Sequence, residues 1–281
     1  MRPSIRPDSR PNVVRLAMIG FGAIGQEVVH LLGTDQRLAV AQIVVPPTAV
    51  AETRVVAARL APQALVDSQL DFRETHRPDL VVECAGHGAV HNHVLPALRF
   101  GIPCIVASVG VLHDTSTFEK LDAAAQEGRT CVRLIPGAIG AIDALAAASI
   151  GGLLSVTYVG RKAPRSWVGT PAEQVCDLTA IDSPHEIFSG TAREAASHFP
   201  LNANVAATVA IAGLGLDKTM VKLVADPNVD RNVHTVYASG TFGRFEISIE
   251  NRPLPGNPKT SALAAYSLAK AVRDACSTIV M

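Results

Sequence analysis

Aromatic side chains make up only 4% of the 281 residues while hydrophobic ones reach 48%. Ala, Val, Leu and Ile must therefore build the core, which suits helices packed on a sheet. Paired cysteines are missing as well. Cys84, Cys104, Cys131, Cys176 and Cys276 are scattered, odd in number and without a CxxC spacing, which argues against a disulfide framework and for thiols kept reduced in a cytoplasm. Nor is there an excess of charge: 25 basic residues balance 25 acidic ones. The net field draws neither nucleic acid nor an anionic membrane, and a small molecule is the expected partner. No apolar run is long enough to span a bilayer. The first dozen residues, MRPSIRPDSRPN, lack the apolar stretch of a secretory signal and read as a loose tail. What remains is a chain long enough for two domains with sizeable cores.

The stretch AMIGFGAIGQEVVH, residues 17–30, is the first strong signal. Val13, Val14, Leu16, Ala17, Met18 and Ile19 lead into Gly20, Gly22 and Gly25, and Ile24, Val28, Val29 and Leu32 follow at helical spacing. The order is strand, turn, helix. In a nucleotide-binding turn Gly20 makes the tight bend, Gly22 lets backbone approach a diphosphate, and Gly25 allows helix to pack on strand. Phosphate then sits on the helix N-terminus, at Ala23 and Ile24, where unpaired N–H groups favour negative charge. The alternative is a glycine-rich turn that binds nothing.

Strand-like LAVAQIVV (38–45), the apolar RPDLVVECAG, PCIVASVGVL and TCVRLIPG alternate with helical stretches, among them STFEKLDAAAQEGR with Gly128 as its stop. This order predicts βαβ units and an α/β fold, a doubly wound parallel sheet of the Rossmann type over residues 13–137. Beyond Pro136 the pattern changes. TMVKLVADP, NVHTVYASG and TFGRFEISIENRP alternate apolar and polar residues with short turns. They predict a second, α+β domain over 138–254 with a mostly antiparallel sheet, one face open. Residues 255–281 hold an amphipathic helix, with Ala262, Ala265, Leu268, Ala269 and Val272 on one stripe, expected to pack back on the first domain.

A dinucleotide fingerprint places an acid about 20 residues after its glycines, on the ribose 2′-hydroxyl. Here that place is Val44, Val45, Pro46. With no carboxylate to repel a 2′-phosphate, and with Arg54 nearby to pair with one, use of both NAD and NADP is expected.

The set GFGAIG (20–25), ECAGHGAV (83–90), PGAIGAIDAL (136–145), FPLNANVAATVA (199–210), DPNVDRNVHTV (226–236) and NPKTSALAAYSLA (257–269) resembles the L-aspartate dehydrogenase family over nearly the whole length after the tail. The resemblance implies oxidation of L-aspartate with NAD(P) to iminosuccinate, which hydrolyses to oxaloacetate and ammonia or feeds NAD synthesis. It also implies a homodimer, NAD contacts at Ala138 and Asn204, and His234 as the active-site histidine.

Amine oxidation needs a base, and histidine, with an ordinary pKa of about 6.5, is the natural candidate. His234 lies in an alternating strand that could aim it into a cleft. By its residues alone the position reads as a solvated cross-strand histidine, and the resemblance is what favours it as the catalytic base. His198, at a helix end near Asn202 and Asn204, is the second candidate; it also fits a cation on a helix C-terminus. Lys162 and Arg165 in GRKAPRS could hold substrate carboxylates or be a solvated loop. Asn202 could bond substrate or nicotinamide ribose, or cap a helix. His87, His91 and His93 have no Cys or carboxylate at ligand spacing, so no metal is expected. Two other functions remain open: a related two-domain reductase of homoserine or dihydrodipicolinate type, and a non-catalytic NAD(P)-sensing module.

Overall fold

The computed structural model describes residues 13–200, 204–255 and 257–280. The expected tail, residues 1–12, and Asn202 lie outside them. The chain divides into two compact units, one running to Ile135 and resuming at Ala265, the other Pro136–Ala264.

The first unit holds a six-stranded parallel sheet built of β1 (Val14–Ile19), β2 (Leu38–Val44), β3 (Leu65–Asp67), β4 (Leu80–Glu83), β5 (Cys104–Val106) and β6 (Val132–Leu134), in the order β3-β2-β1-β4-β5-β6. The continuous apolar runs are buried on both faces: Leu16 to Met18 in β1 and Val81 and Val82 in β4 are wholly inaccessible. Helices α1 (Ala23–Leu32), α2 (Val50–Leu60), α3 (His87–Ala89), α4 (Leu95–Arg99) and α5 (Thr115–Glu127) connect the strands. Asp114 caps α5, accepting from the Ser116 and Thr117 N–H groups, and Gly128 ends it. A π-turn, Val90–Val94, separates α3 from α4. Pro96 explains it: proline has no N–H to give the carbonyl of Asn92, and the wider turn absorbs its ring. His87 and His91 thus do not follow one regular helical face.

In the second unit β7 (Leu153–Lys162) is central to a five-stranded sheet with β8 (His185–Thr191), β9 (Met220–Ala225), β10 (Asn232–Gly240) and β11 (Gly243–Asn251), ordered β11-β10-β7-β9-β8. Most pairs are antiparallel as expected, but β9 runs parallel to β7, and β7 lies between β9 and β10. The alternation of residues was legible in sequence; which strand pairs with which was not. Val156, Tyr158, Val221, Leu223, Val236 and Ala238 face a core shared with α6 (Ile142–Gly151), α7 (Ala192–His198) and α8 (Asn204–Ala212). The opposite face is polar, with Ser155 bonded to Ser239 and Thr235 to Ser248. A short ribbon of β12 (Pro253–Leu254) and β13 (Asn257–Ser261) leads into α9 (Ala262–Cys276). Within the first unit α9 is tied by Arg133–Asp274 at 2.8 Å and by the Arg273 guanidinium donating to the Leu31 carbonyl.

Candidate active site

The three glycines after β1 have different constraints. Gly20 has φ +92°, and a Cβ there would lie 2.8 Å from the Ala85 Cβ. At Gly25 a Cβ would lie 2.6 Å from the Gly20 carbonyl oxygen, so bare backbone is what lets α1 lie on its strand. Gly22 is another matter: it is exposed, its backbone is extended (φ −74°, ψ −162°), and a Cβ would meet nothing within 4 Å. The protein's own packing gives no reason for glycine there. As N-cap of α1, Gly22 provides no side chain to bond the first turn. The first intrahelical bond runs from the Gln26 N–H to the Gly22 carbonyl, so the N–H groups of Ala23, Ile24 and Gly25 have no partner within the helix. An open approach, unpaired donors and a helix dipole fit a diphosphate.

The next loops along the same edge of the sheet are fixed by a residue that sequence reasoning passed over. Glu83, fully buried at the end of β4, accepts from the Ala85 N–H (2.8 Å), Gly86 N–H (2.9 Å) and Ser108 hydroxyl (2.7 Å) on one oxygen and from the Ser108 N–H (3.1 Å) on the other. Burial pushes its pKa up while these bonds pull it down. It clamps the loops after β4 and β5. An acid closing a wholly apolar strand, LVVE, was the available signal. Cys84 packs against Gly25, and burial raises its thiol far above the reactive range. Among the described residues no cluster of His, Cys, Asp and Glu could hold a metal ion.

At the end of β2, Val44 and Val45 are buried and Pro46 follows. The nearest acid in register is Asp67, opposite Val44 on β3, with its Oδ1 taken by the Ser68 N–H. The Arg54 guanidinium, on α2, donates to the Val66 carbonyl at the same strand end.

In the second unit the structure brings Tyr158, Lys162 and His234 onto one face of β7 and β10. His234 pairs with Gly160 in register, and its Nδ1 shares a 2.7 Å hydrogen bond with the Tyr158 hydroxyl. This corrects one expectation: His234 is not solvated but 3% exposed. Burial, and then the charge of Lys162, lower its pKa from 6.5 to about 3. Its Nε2 is buried and has no hydrogen-bond partner among the described residues. A buried polar atom without a partner is costly in a structural role and invites a ligand. Lys162 lies over the Trp167 ring at 5.3 Å, and burial brings its pKa down to about 8.

The other candidates separate. His198 is exposed at the end of α7, its Nδ1–H donating to the Glu194 carbonyl, as the helix-end reading expects. Arg165 is exposed on the turn after β7. Asn204 opens α8. The carbonyl of Ala138 accepts from the buried Asn251 amide at 2.8 Å, in a loop with left-handed backbone at Gly137 (φ +70°) and Ala141 (φ +55°). For Ala141 that conformation costs about 1 kcal/mol or more, the kind of strain that gathers at functional loops.

The neutral burial of His234 has a measurable effect on stability. Between pH 6.5 and about 3 the unfolded chain binds a proton that folded His234 refuses. Its contribution is therefore complete above pH 6.5 and is lost as pH falls. From about pH 7 to about pH 5 the loss is about 2 kcal/mol. Urea midpoints at both values should fall on acidification by less in His234→Leu than in the wild type; equal falls would contradict this environment.

Residues 143–275 match the family model for the C-terminal domain of aspartate dehydrogenase, and residues 20–134 the NAD-binding domain of homoserine dehydrogenase. An L-aspartate dehydrogenase of Pseudomonas aeruginosa is 53% identical over 260 residues, covering 92% of this chain and 97% of that protein. The chain belongs to the aspartate dehydrogenase family. Another member, from Cupriavidus taiwanensis, is 52% identical with the same coverage. The crystal structure of aspartate dehydrogenase from Thermotoga maritima superposes with a TM-score of 0.75 at 26% identity, covering 95% of this chain and 99% of that one. A homoserine dehydrogenase from Thiobacillus denitrificans, TM-score 0.60 at 13% identity, shares the fold. As in that family, the first unit is a pyridine-nucleotide-binding domain.

Proposed function

We propose that the protein catalyses NAD(P)-dependent oxidative deamination of L-aspartate to iminosuccinate, which water converts to oxaloacetate and ammonia. The observation that carries this reading is the buried His234 with its unpartnered Nε2, in a chain whose relatives named L-aspartate dehydrogenase match it at about half of all positions over nine-tenths of its length. Gly20, Gly22, Ala23, Ile24 and Gly25 hold the diphosphate, and Ala138 and Asn204 contact the nucleotide. When bound, the nicotinamide supplies the hydride acceptor.

The residues of the chain do the rest. With its proton on Nδ1, His234 donates to the Tyr158 hydroxyl and the Nε2 lone pair is free for chemistry. Because burial keeps the imidazole neutral at pH 7, that lone pair can accept a proton from the substrate ammonium, pass it on to solvent, and then accept another from the water that attacks the imine carbon. A bound dicarboxylate raises the basicity of Nε2, since opposite charge stabilises imidazolium. Lys162, still mostly protonated at pH 7, holds the α-carboxylate, and Arg165 faces the other one. The protein works as a homodimer in the reducing cytoplasm, where its five free cysteines are at home. There it can supply iminosuccinate for NAD synthesis.

With no acid at Val44, Val45 and Pro46, NADP is tolerated beside NAD, with Arg54 the partner for a 2′-phosphate. Initial rates with L-aspartate and each coenzyme should agree within about 100-fold in kcat/KM, less than about 3 kcal/mol. A preference for NAD beyond about a thousandfold would contradict this account of the strand end.

A further inference from the structure

A cavity of about 150 Å³ opens at the end of β7 and the start of β10, lined by Ala163, Arg165, Ser166, Asp230, Arg231 and Asn232 among others. Ala163 follows Lys162 on the chain, and Asn232 is on the same buried face of β10 as His234, two residues away. Two residues along a strand span about 7 Å, within the reach of an arginine side chain. The cavity is therefore lined by residues one and two positions along the chain from Lys162 and His234.

Its charge is uneven. Arg165 and Arg231 contribute two guanidinium groups against one carboxylate, Asp230, whose Oδ1 lies 3.9 Å from the Arg231 Nε and which is 86% exposed. That pair is long and screened by water. Arg165 makes no ion pair among the described residues. The turn that leads to Arg231 starts from tied residues: the Asp226 N–H donates to the Lys162 carbonyl, the buried Asp226 carboxylate accepts from the Asn228 N–H at 2.8 Å, and Arg161 pairs with it at 3.5 Å. Two forked donors lining one small hollow match a planar carboxylate.

We propose that this cavity, through Arg231 together with Arg165, is the subsite for the side-chain carboxylate of a dicarboxylic substrate, and that Arg231 determines specificity for it. The assignment rests on the amino-acid dehydrogenase reading and extends it to a residue outside the His234 cluster. Ser166 offers a hydroxyl to the same group, and Asn232, whose amide donates to the Ser261 hydroxyl, forms the wall toward His234.

The test uses succinate, which carries two carboxylates and no amine, so its binding reports the subsite whether or not aspartate turns over. Calorimetry on the full-length protein with bound coenzyme should show Arg231→Gln and Arg165→Gln each weakening succinate by about 10- to 100-fold, the loss of one charge-assisted bond, with Arg231→Lys between wild type and Gln. In steady state, Arg231→Gln should raise KM for L-aspartate by a similar factor, lower kcat by much less, and shrink the preference for L-aspartate over L-alanine. Arg165 is exposed and Arg231 half-buried, and unchanged melting curves will confirm folding. Succinate affinity within about twofold of wild type in both Gln variants, or no succinate binding by the wild type, would overturn the subsite. Wild type that binds succinate through these arginines but leaves L-aspartate unoxidised would instead overturn the dehydrogenase reading.

Discussion

Replacing His234 by alanine is expected to lower kcat by about 100-fold or more while coenzyme affinity holds. The size follows from the role: a positioned base that moves a proton in the transition state contributes about 10²- to 10⁴-fold. Stopped-flow and steady-state rates with L-aspartate measure it. His234→Ala also leaves the Tyr158 hydroxyl without its partner and opens a gap in a buried face, so a stability loss of about 2 kcal/mol or more is expected and thermal melts must accompany the kinetics. Tyr158→Phe separates the two effects. It keeps the ring in the core but removes the hydroxyl that bonds Nδ1, so kcat should fall by a smaller factor than in His234→Ala. His198→Ala, by contrast, removes only a helix-end bond to the Glu194 carbonyl, and turnover should be nearly that of the wild type. If His198→Ala abolishes activity and His234→Ala does not, the base has been misplaced.

The second large effect concerns a methyl group. Gly22→Ala should change the stability of the folded protein by no more than about 1 kcal/mol, because the site is open and alanine lowers the entropy of the unfolded chain, which offsets its weaker preference for the N-cap. Coenzyme affinity should nevertheless fall by about 30- to 100-fold, the loss of about 2 to 3 kcal/mol when a diphosphate can no longer approach the backbone. Gly20→Ala and Gly25→Ala differ in kind. Each forces a Cβ into backbone or a neighbouring side chain at under 3.0 Å, so they should lose stability and binding together. Fluorescence titration with NADH, beside urea unfolding, distinguishes the classes. Unchanged affinity in Gly22→Ala would reduce the glycine pattern to a strand-to-helix turn.

Much of this fold was legible because its signals are local. The continuous apolar run of β4 pointed to burial on both faces, the alternation of strands with helices to a parallel sheet, and Gly128 marked the end of α5, whereas its Asp114 cap emerged only in the structure. Pairing order in the second sheet is a long-range property, and nothing in TMVKLVADP says that its partner is the distant β7 rather than the next strand. The same holds for the site. His234 and Lys162 were identifiable as chemical types, but their burial was not: it depends on the core face of a sheet whose register spans 76 residues between Tyr158 and His234. An exposed histidine near neutrality was expected from the ordinary value of the group, and desolvation by that core overturned it. Glu83 was missed for a related reason, since a carboxylate at the end of an apolar strand announces itself only when its four donors are seen converging. Arg231 likewise became a candidate only when it was seen to line the same cavity as Arg165.

The central claim is that this protein removes the amino group of L-aspartate by passing a hydride to a nicotinamide coenzyme. The most direct measurement follows the absorbance of reduced coenzyme as purified protein meets NAD or NADP and, one at a time, L-aspartate, L-glutamate, L-alanine, L-homoserine and L-aspartate semialdehyde. The account predicts a rise confined to L-aspartate, with ammonia released in equal amount. Equal rates on alanine or glutamate, a response to homoserine or the semialdehyde instead, or coenzyme binding with no turnover of any of them would contradict it.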